Sequence, residues 1–199
     1  MAAKFVKICG LTNYADARFA FEAGADYLGF ILIPGSTRAI GREEFEKIDF
    51  GKKVGVFQNA PLDYVLSFKL DTIQLHGTES EEYVDELRAR TNCEIWKALP
   101  IVDAASLAFA KSRYKGLAIL ADGEKGGRHC DRVLARELSV MRPTILAGQL
   151  TPENVGEAIN LVDPIGVDAA SGVETENDPR KKDEHKILAF INEVRKHLC

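Results

Sequence analysis

Residues 144–152 have the sequence Thr144-Ile145-Leu146-Ala147-Gly148-Gln149-Leu150-Thr151-Pro152. A short apolar run is followed by glycine, and then by threonine and proline, which are residue types found where helices begin. Apolar runs without polar alternation are typical of parallel strands that are buried on both faces. The stretch therefore predicts a buried strand, a glycine turn and a helix, with Thr151 as the N-cap and Pro152 as the first helical residue.

The same unit occurs eight times along the chain. The apolar runs lie at residues 5–8, 27–32, 53–57, 72–75, 94–98, 117–120, 144–147 and 165–167. A strict alternation of strands and helical segments is compatible with an open doubly wound sheet or a closed barrel, and eight units favour the barrel. Because no linker or change of composition interrupts the pattern, we predict one domain over residues 1–199, an α/β (βα)8 TIM barrel with eight parallel strands.

The segments between the apolar runs have helical features. Residues 14–23 are rich in alanine and phenylalanine and end before Gly24, a usual helix terminator. Residues 80–90 follow Thr78, whose spacing to Glu81 predicts a capping box. The last segment has apolar residues at helical spacing, namely Ile187, Ile191, Val194 and Leu198. In a barrel these segments form the outer ring.

The composition is that of an ordinary globular protein. Of the 199 residues, 46% are hydrophobic and 28% charged, and the formal net charge is -4. Without a long basic run we expect no nucleic-acid partner. Without a stretch approaching the ~20 apolar residues of a membrane span, or a hydrophobic run near the N-terminus, we expect no membrane partner and a cytoplasmic location.

No CxxC pair or zinc spacing occurs, so we predict free thiols and no metal at Cys9, Cys93, Cys130 and Cys199.

The residues that follow each strand of such a barrel face the active site. Here they include Cys9, Arg38, His76, Asp122 and Asp168. Each residue type allows a functional and a structural interpretation. The cysteine is a reactive thiol or a buried apolar group, the arginine a carboxylate clamp or a solvated side chain, and the histidine a titrating or a structural group. Each aspartate is catalytic or the start of a turn, so position alone leaves these alternatives open.

The last two units share a second feature. Gly148 follows the seventh apolar run, and Gly172 follows the eighth with Ser171 beside it. Small residues allow backbone N–H groups to approach an anion, and a helix N-terminus favours negative charge. Since barrels often bind phosphate between units 7 and 8, we predict a phosphate site there.

Several stretches together resemble the phosphoribosylanthranilate isomerase family. The resemblance runs in order from about residue 4 to residue 196, and its most specific parts are Lys-Ile-Cys-Gly-Leu-Thr at 7–12 and Gln-Leu-His-Gly at 74–77. The other matching stretches are 29–30 with 36–40, 54–57, 146–155, 167–174 and 181–183.

The resemblance implies an Amadori rearrangement of phosphoribosylanthranilate, an aminoaldose, to the aminoketose carboxyphenylamino-deoxyribulose phosphate, with no cofactor. One acid protonates the ring oxygen as the sugar opens, and one base removes the proton from C2. The resemblance implies that Cys9 is the base and Asp122 the acid. A free cysteine titrates near ~8.5 and a free aspartate near ~4, so Cys9 must gain thiolate character and Asp122 must keep its proton.

The resemblance also implies how the substrate, a small phosphorylated aminosugar, is bound. Arg38 is expected to bind the anthranilate carboxylate, Asp168 to lie near the substrate amino group, and His76 to line the pocket. The phosphate is expected at the backbone amides around Gly148, Gln149, Ser171 and Gly172. We expect the chain to act as a monomer or a homodimer.

The chain departs from the family pattern in two places. After Asp122 the family has a glycine-rich flap ending in Phe-Asp-Trp, whereas residues 123–132 keep the Gly-Gly pair and Asp131 but lack the aromatic residues and the later glycine. In the phosphate site Gln149 replaces a usual glycine and Ala170 a usual serine, which backbone binding tolerates if φ is negative at Gln149.

Three alternatives follow from the residues. The altered loop suggests a catalytically impaired phosphosugar-binding barrel of the same family. Related phosphate barrels, such as a histidine-pathway aminoaldose isomerase or an indole-forming synthase, use other residues at the strand ends, and the cysteine with the Gln-Leu-His-Gly motif argues against them. A nucleophilic pair of His129 and Cys130 is disfavoured, because adjacent loop residues seldom hold hydrogen-bonding geometry.

Overall fold

The computed structural model describes residues 5–124 and 126–197. Its eight parallel strands pair in sequential order and close into a barrel, which confirms the predicted fold. The strands are β1 Phe5–Ile8, β2 Tyr27–Ile31, β3 Lys52–Phe57, β4 Thr72–Leu75, β5 Glu94–Pro100, β6 Ala118–Asp122, β7 Thr144–Leu146 and β8 Gly166–Ala169. The helices are α1 Tyr14–Glu22, α2 Arg42–Glu46, α3 Leu62–Leu66, α4 Glu81–Arg90, α5 Ala104–Ser112, α6 Arg132–Met141, α7 Val155–Val162 and α8 Glu184–Lys196.

A short insertion separates β8 from α8. It contains a 3-10 turn at Ser171–Val173 and a two-stranded antiparallel hairpin formed by β9 Glu174–Thr175 and β10 Asp178–Lys182. The hairpin lies beyond the carboxyl end of β8, so it can place side chains at the mouth of the barrel. The sequence pattern did not predict it.

Aromatic side chains close the amino-terminal end of the barrel. Phe5 and Tyr27, which begin β1 and β2, contact each other and Trp96 of β5 with ring centroids 5.0 to 5.4 Å apart. Trp96 also belongs to the small apolar cluster inside the barrel, with Val54, Ala98, Leu120, Ile145 and Ala147. The opposite end, where the strands terminate, therefore holds the open space.

Two helix starts differ from those predicted. The N-cap of α4 is Ser80, which accepts a hydrogen bond from the Tyr83 amide, whereas Thr78 bonds to the Asn59 side chain. The prediction of a capping box at Thr78 was therefore wrong, because a tertiary contact takes that hydroxyl.

The prediction for α7 was also wrong. The helix begins at Val155, with Asn154 as its N-cap, and residues 152–154 form a turn. The Asn154 carboxamide accepts from the Thr151 amide at 2.9 Å and donates to the Gln149 carbonyl at 3.0 Å. These bonds turn the chain before the helix starts, so Thr151 and Pro152 precede it.

Other expectations concern the apolar stripe, the cysteines and the ends of the chain. Ile187, Ile191 and Val194 are buried along α8, as predicted, while Leu198, Cys199 and residues 1–4 lie outside the described residues.

Within the described ranges no helix is long and apolar enough to cross a membrane, and no group of three His, Cys, Asp or Glu side chains could hold a metal ion. The described cysteines are free thiols.

Candidate active site

A cavity of about 990 Å³ opens at the carboxyl ends of the strands. Most of the predicted site residues line it, namely Arg38, His76, Asp122, Gly148, Gln149, Asp168 and Ser171. Cys9 and Gly172 are not part of the wall. Cys9 is only 5% exposed and joins the end of β1 to β8 through a 2.8 Å hydrogen bond from its amide to the Ala169 carbonyl.

The space that Cys9 occupies depends on a glycine in the neighbouring strand. A Cβ atom at Gly29 would lie 2.8 Å from Cys9 Sγ and 2.8 Å from Lys7 Cε. Carbon atoms do not approach that closely without displacement. The absence of a side chain at Gly29 therefore lets the thiol and the Lys7 side chain share one space inside the barrel.

Lys7 forms a buried ion pair with Asp168. The two residues are register partners on β1 and β8, and Lys7 Nζ donates to Asp168 Oδ2 at 2.8 Å. Lys7 has no exposed surface. The other oxygen, Asp168 Oδ1, is buried without a hydrogen-bond partner among the described residues. Asp168 also lines the cavity, so its carboxylate group borders the space that is open to a ligand.

The thiol of Cys9 lies among opposing influences. Burial raises its pKa and the Asp168 carboxylate adds to this, whereas the ammonium groups of Lys7 and Lys182 oppose the rise. The direction of the shift in the pKa of Cys9 is therefore opposite to what a base near neutrality needs, and the two lysines counteract it.

Asp122 ends β6 and contacts two cavity residues. Its Oδ1 accepts a hydrogen bond from the Gly123 amide at 2.7 Å, and its Oδ2 lies 3.7 Å from His76 Nε2. Desolvation raises the pKa of Asp122, and the Asp168 carboxylate adds to this against the opposing effects of His76, the Gly123 amide and Lys7. This direction suits an acid that keeps its proton. Desolvation likewise lowers the pKa of His76, which favours the neutral imidazole.

Arg38 is held by Glu174, the first residue of the hairpin. Its Nε and Nη2 donate to the two carboxylate oxygens at 2.6 and 2.8 Å, and Lys182 Nζ lies 3.2 Å from Glu174 Oε1. Burial would raise the pKa of Glu174, but Arg38 and Lys182 outweigh it and lower the pKa. Glu174 therefore occupies part of the guanidinium group that was expected to bind a substrate carboxylate. The Nη1 atom of Arg38 lies outside this ion pair.

The predicted phosphate site has an unexpected backbone. Gly148 and Gln149 have φ of +83° and +54°, so the condition of a negative φ, under which backbone binding would tolerate Gln149, is not met. The Asn154 side chain, which donates to the Gln149 carbonyl, holds this left-handed turn in place. Gly172 has a packing role, because a Cβ there would lie 1.9 Å from the Leu150 carbonyl oxygen. Its close approach brings the loops after β7 and β8 together.

Ion pairs hold the altered loop after Asp122 in place. Arg128, which lines the cavity, pairs with Asp103 at 2.9 Å and with Glu124 at 2.8 Å. Asp131 caps α6 by accepting from the amides of residues 133 and 134. Burial raises the pKa of Cys130 to about 12, which argues against a nucleophilic role for this thiol.

Sequence reasoning missed Lys7, Gly29, Glu174 and Lys182 as members of the site. One signal was present, because alternation along β1 places Phe5, Lys7 and Cys9 on the same face, and a lysine on an interior face needs a partner. Gly29, Glu174 and Lys182 carried no such signal; they only lie within the stretches that resemble the family.

Comparisons with known proteins agree on one family. The family model described as N-(5'phosphoribosyl)anthranilate (PRA) isomerase matches residues 6–193. The N-(5'-phosphoribosyl)anthranilate isomerase of Moorella thermoacetica is 40% identical, over 96% of this chain and 89% of that protein.

Two solved structures have the same fold. One is phosphoribosyl anthranilate isomerase in complex with reduced 1-(o-carboxyphenylamino)-1-deoxyribulose 5-phosphate, with a TM-score of 0.84, 35% identity and coverage of 98% of this chain and 100% of that one. The other is of monomers generated from the dimeric enzyme of Thermotoga maritima, with a TM-score of 0.85, 35% identity and the same coverage.

Proposed function

The chain belongs to the N-(5'-phosphoribosyl)anthranilate isomerase family, and we propose that Cys9 and Asp122 perform the acid–base chemistry of its reaction. Membership of this family makes the chain an aldose–ketose isomerase that acts on a small phosphorylated substrate. The catalytically impaired barrel considered as an alternative is not favoured by these relatives.

Asp122 is the proposed acid. A proton on its carboxyl group passes to the furanose ring oxygen, the ring C–O bond breaks, and the electron pair of the nitrogen forms the imine. This role needs a carboxyl group that is protonated in the free site, which the raised pKa of Asp122 supports. The neutral imidazole of His76, 3.7 Å away, can hold the resulting carboxylate in place by donating a hydrogen bond.

Cys9 is the proposed base. Its thiolate takes the proton from C2 of the imine, the C2 electron pair forms the enamine, and the enamine tautomerises to the aminoketose. The thiol is next to the Lys7–Asp168 pair, whose Asp168 belongs to the cavity wall. The observation on which the proposal chiefly rests is geometric: Asp122 and Asp168 line one cavity, and Lys7, which is bonded to Asp168, shares the space beside Gly29 with the Cys9 sulfur.

The remaining cavity residues are assigned to substrate binding. Asp168 Oδ1, which has no partner among the described residues, accepts from the substrate amino group. Arg38 meets the anthranilate carboxylate with Nη1 and the free hydrogen of Nη2, while Glu174 holds its other edge. The phosphate binds at the loops after β7 and β8, around Gly148, Gln149, Ser171 and Gly172, and His76 lines the pocket.

The proposal is tested by single substitutions assayed through the fluorescence loss of phosphoribosylanthranilate. We expect Cys9→Ala and Asp122→Asn each to lower kcat at least about 100-fold, the lower end of what acid–base groups contribute. Cys93→Ala serves as the matched control, because Cys93 is a second free thiol that does not line the cavity. Near-normal turnover in both site variants would overturn the assignment.

The assembly state is a separate proposal. The enzyme of Thermotoga maritima is described as dimeric, and we expect this chain to form a monomer or a homodimer. Sedimentation equilibrium of the purified chain decides between these two, and a larger assembly would contradict both.

A further inference from the structure

Lys7 is a buried charge that the proposed acid–base steps do not use. Its side chain has no exposed surface, and one hydrogen bond of 2.8 Å joins it to Asp168. An ammonium group has three N–H donors, and burying it is costly unless it is paired. The ion pair with Asp168 offsets part of that cost. It leaves N–H groups of Lys7 that can donate to a second partner.

Cys9 is the group beside Lys7 that can accept a hydrogen bond from a second donor. Alternation along β1 places Lys7 and Cys9 on the same face of the strand. Both Lys7 Cε and Cys9 Sγ border the space left by the missing side chain of Gly29, each 2.8 Å from the position of a Cβ atom there. Any larger residue at this position would force the two groups apart.

The charges that face Cys9 come from four elements. They are Lys7 on β1, Asp168 on β8, Lys182 on β10 and Arg38 after β2, and Glu174 pairs with the last two. Three cations and two carboxylates leave one positive charge in excess. A thiolate at Cys9 would balance it among side chains that are mostly buried, where electrostatic interactions are strong.

We infer that Lys7 is the positioning residue that stabilises the thiolate form of Cys9, with Asp168 fixing the ammonium and Gly29 providing the space in which nitrogen and sulfur meet. This inference rests on the proposed role of Cys9 as the base. The thiol releases its proton to solvent before the reaction, the thiolate then takes the C2 proton, and Lys7 keeps its own proton throughout.

The titration behaviour agrees with this geometry. Burial by itself would lower the pKa of Lys7, but Asp168 and Cys9 outweigh it and raise the pKa, so the lysine stays charged. Burial raises the pKa of Cys9, and Lys7 is the strongest of the groups that oppose the rise.

The test follows the ultraviolet absorbance of the Cys9 thiolate against pH, taken as the difference between each protein and its Cys9→Ser derivative. In Lys7→Met we expect the titration midpoint to move to higher pH, with at least about a tenfold lower thiolate fraction near neutrality. The ascending limb of kcat/KM against pH should move with it. Lys97→Met is the matched control, because Lys97 is equally buried, pairs with buried Glu79 and is not among the groups that act on Cys9.

A second variant covers the case in which Lys7→Met fails to fold because Asp168 loses its partner. The double variant Lys7→Met with Asp168→Asn removes the whole ion pair, and its midpoint should still rise, because the cation whose Cε borders the same space beside Gly29 as the Cys9 sulfur is lost. An unchanged midpoint in the folded variants, or an equal shift in Lys97→Met, overturns the inference. A shifted midpoint with an unshifted pH–rate profile supports the role of Lys7 and instead overturns Cys9 as the base.

Discussion

Glu174 binds Arg38 through two parallel hydrogen bonds. Its carboxylate oxygens accept from Nε at 2.6 Å and from Nη2 at 2.8 Å. The two residues are 136 positions apart in the chain, and Glu174 is buried while Arg38 borders the cavity. Because a guanidinium group is planar, two bonds to one edge fix the orientation of the whole group. The hairpin after β8 thus decides how the arginine faces the cavity.

Replacing the carboxylate of Glu174 should weaken substrate binding. Glu174→Gln leaves one oxygen to accept from the Arg38 guanidinium and removes the negative charge, and hydrogen bonds to charged groups contribute about 1.5–3 kcal/mol. We expect KM to rise at least about tenfold with a smaller change in kcat, measured by steady-state kinetics. Glu176→Gln, an exposed position on the same hairpin, is the control and should behave like the parent; an unchanged KM in Glu174→Gln would contradict the orienting role.

The substitution Gly29→Ala should disturb the position of Cys9, the proposed base, without changing the thiol itself. The Cβ atom of Gly29→Ala would lie 2.8 Å from both Cys9 Sγ and Lys7 Cε, and overpacking of this kind typically costs about 1–3 kcal/mol. We expect lower stability in denaturant unfolding and lower kcat. Gly41→Ala is the comparison, since no atom lies within 4 Å of a Cβ there, and equal losses in both variants would rule out the steric explanation.

Gln149 occupies a backbone conformation that glycine adopts more easily. Its φ of +54° costs a side-chain-bearing residue roughly 1–2 kcal/mol, while glycine loses about 0.5–1 kcal/mol through greater freedom in the unfolded chain. Gln149→Gly should therefore raise the free energy of unfolding by roughly 0.5–1 kcal/mol. Gln149→Ala keeps the strain and should not stabilise, and a gain of the same size in that variant would show that the side chain, rather than φ, is responsible.

The pH dependence of stability should report the proton on Asp122. Since desolvation raises its pKa in the folded state, the folded protein binds this proton more tightly than the unfolded chain does. The contribution to stability is complete at pH values below the ordinary aspartate range near ~4 and is lost as pH rises through the raised pKa. Urea unfolding of the parent and of Asp122→Asn across this range isolates the effect, and parallel curves would mean that the pKa of Asp122 is not raised.

Local sequence patterns determined much of the barrel. The predicted runs at 5–8 and 72–75 coincide with β1 and β4, and the other six overlap their strands. This succeeded because strands buried on both faces must be continuously apolar, a signal contained within a few neighbouring residues. The positions after the strands also identified most of the residues that line the cavity, since parallel strands bring their carboxyl ends to one side.

Tertiary structure alone decided which charges meet inside the barrel. Lys7 and Asp168 are 161 positions apart, and their pairing depends on the register with which β8 closes against β1. The N-cap of α4 is likewise Ser80 rather than Thr78 because the Thr78 hydroxyl bonds to the side chain of Asn59, 19 positions away. The amino-acid sequence determined the fold through short-range burial, whereas the environment of Cys9 was set only when barrel closure brought distant ionised groups into a buried space, where solvent screens them weakly.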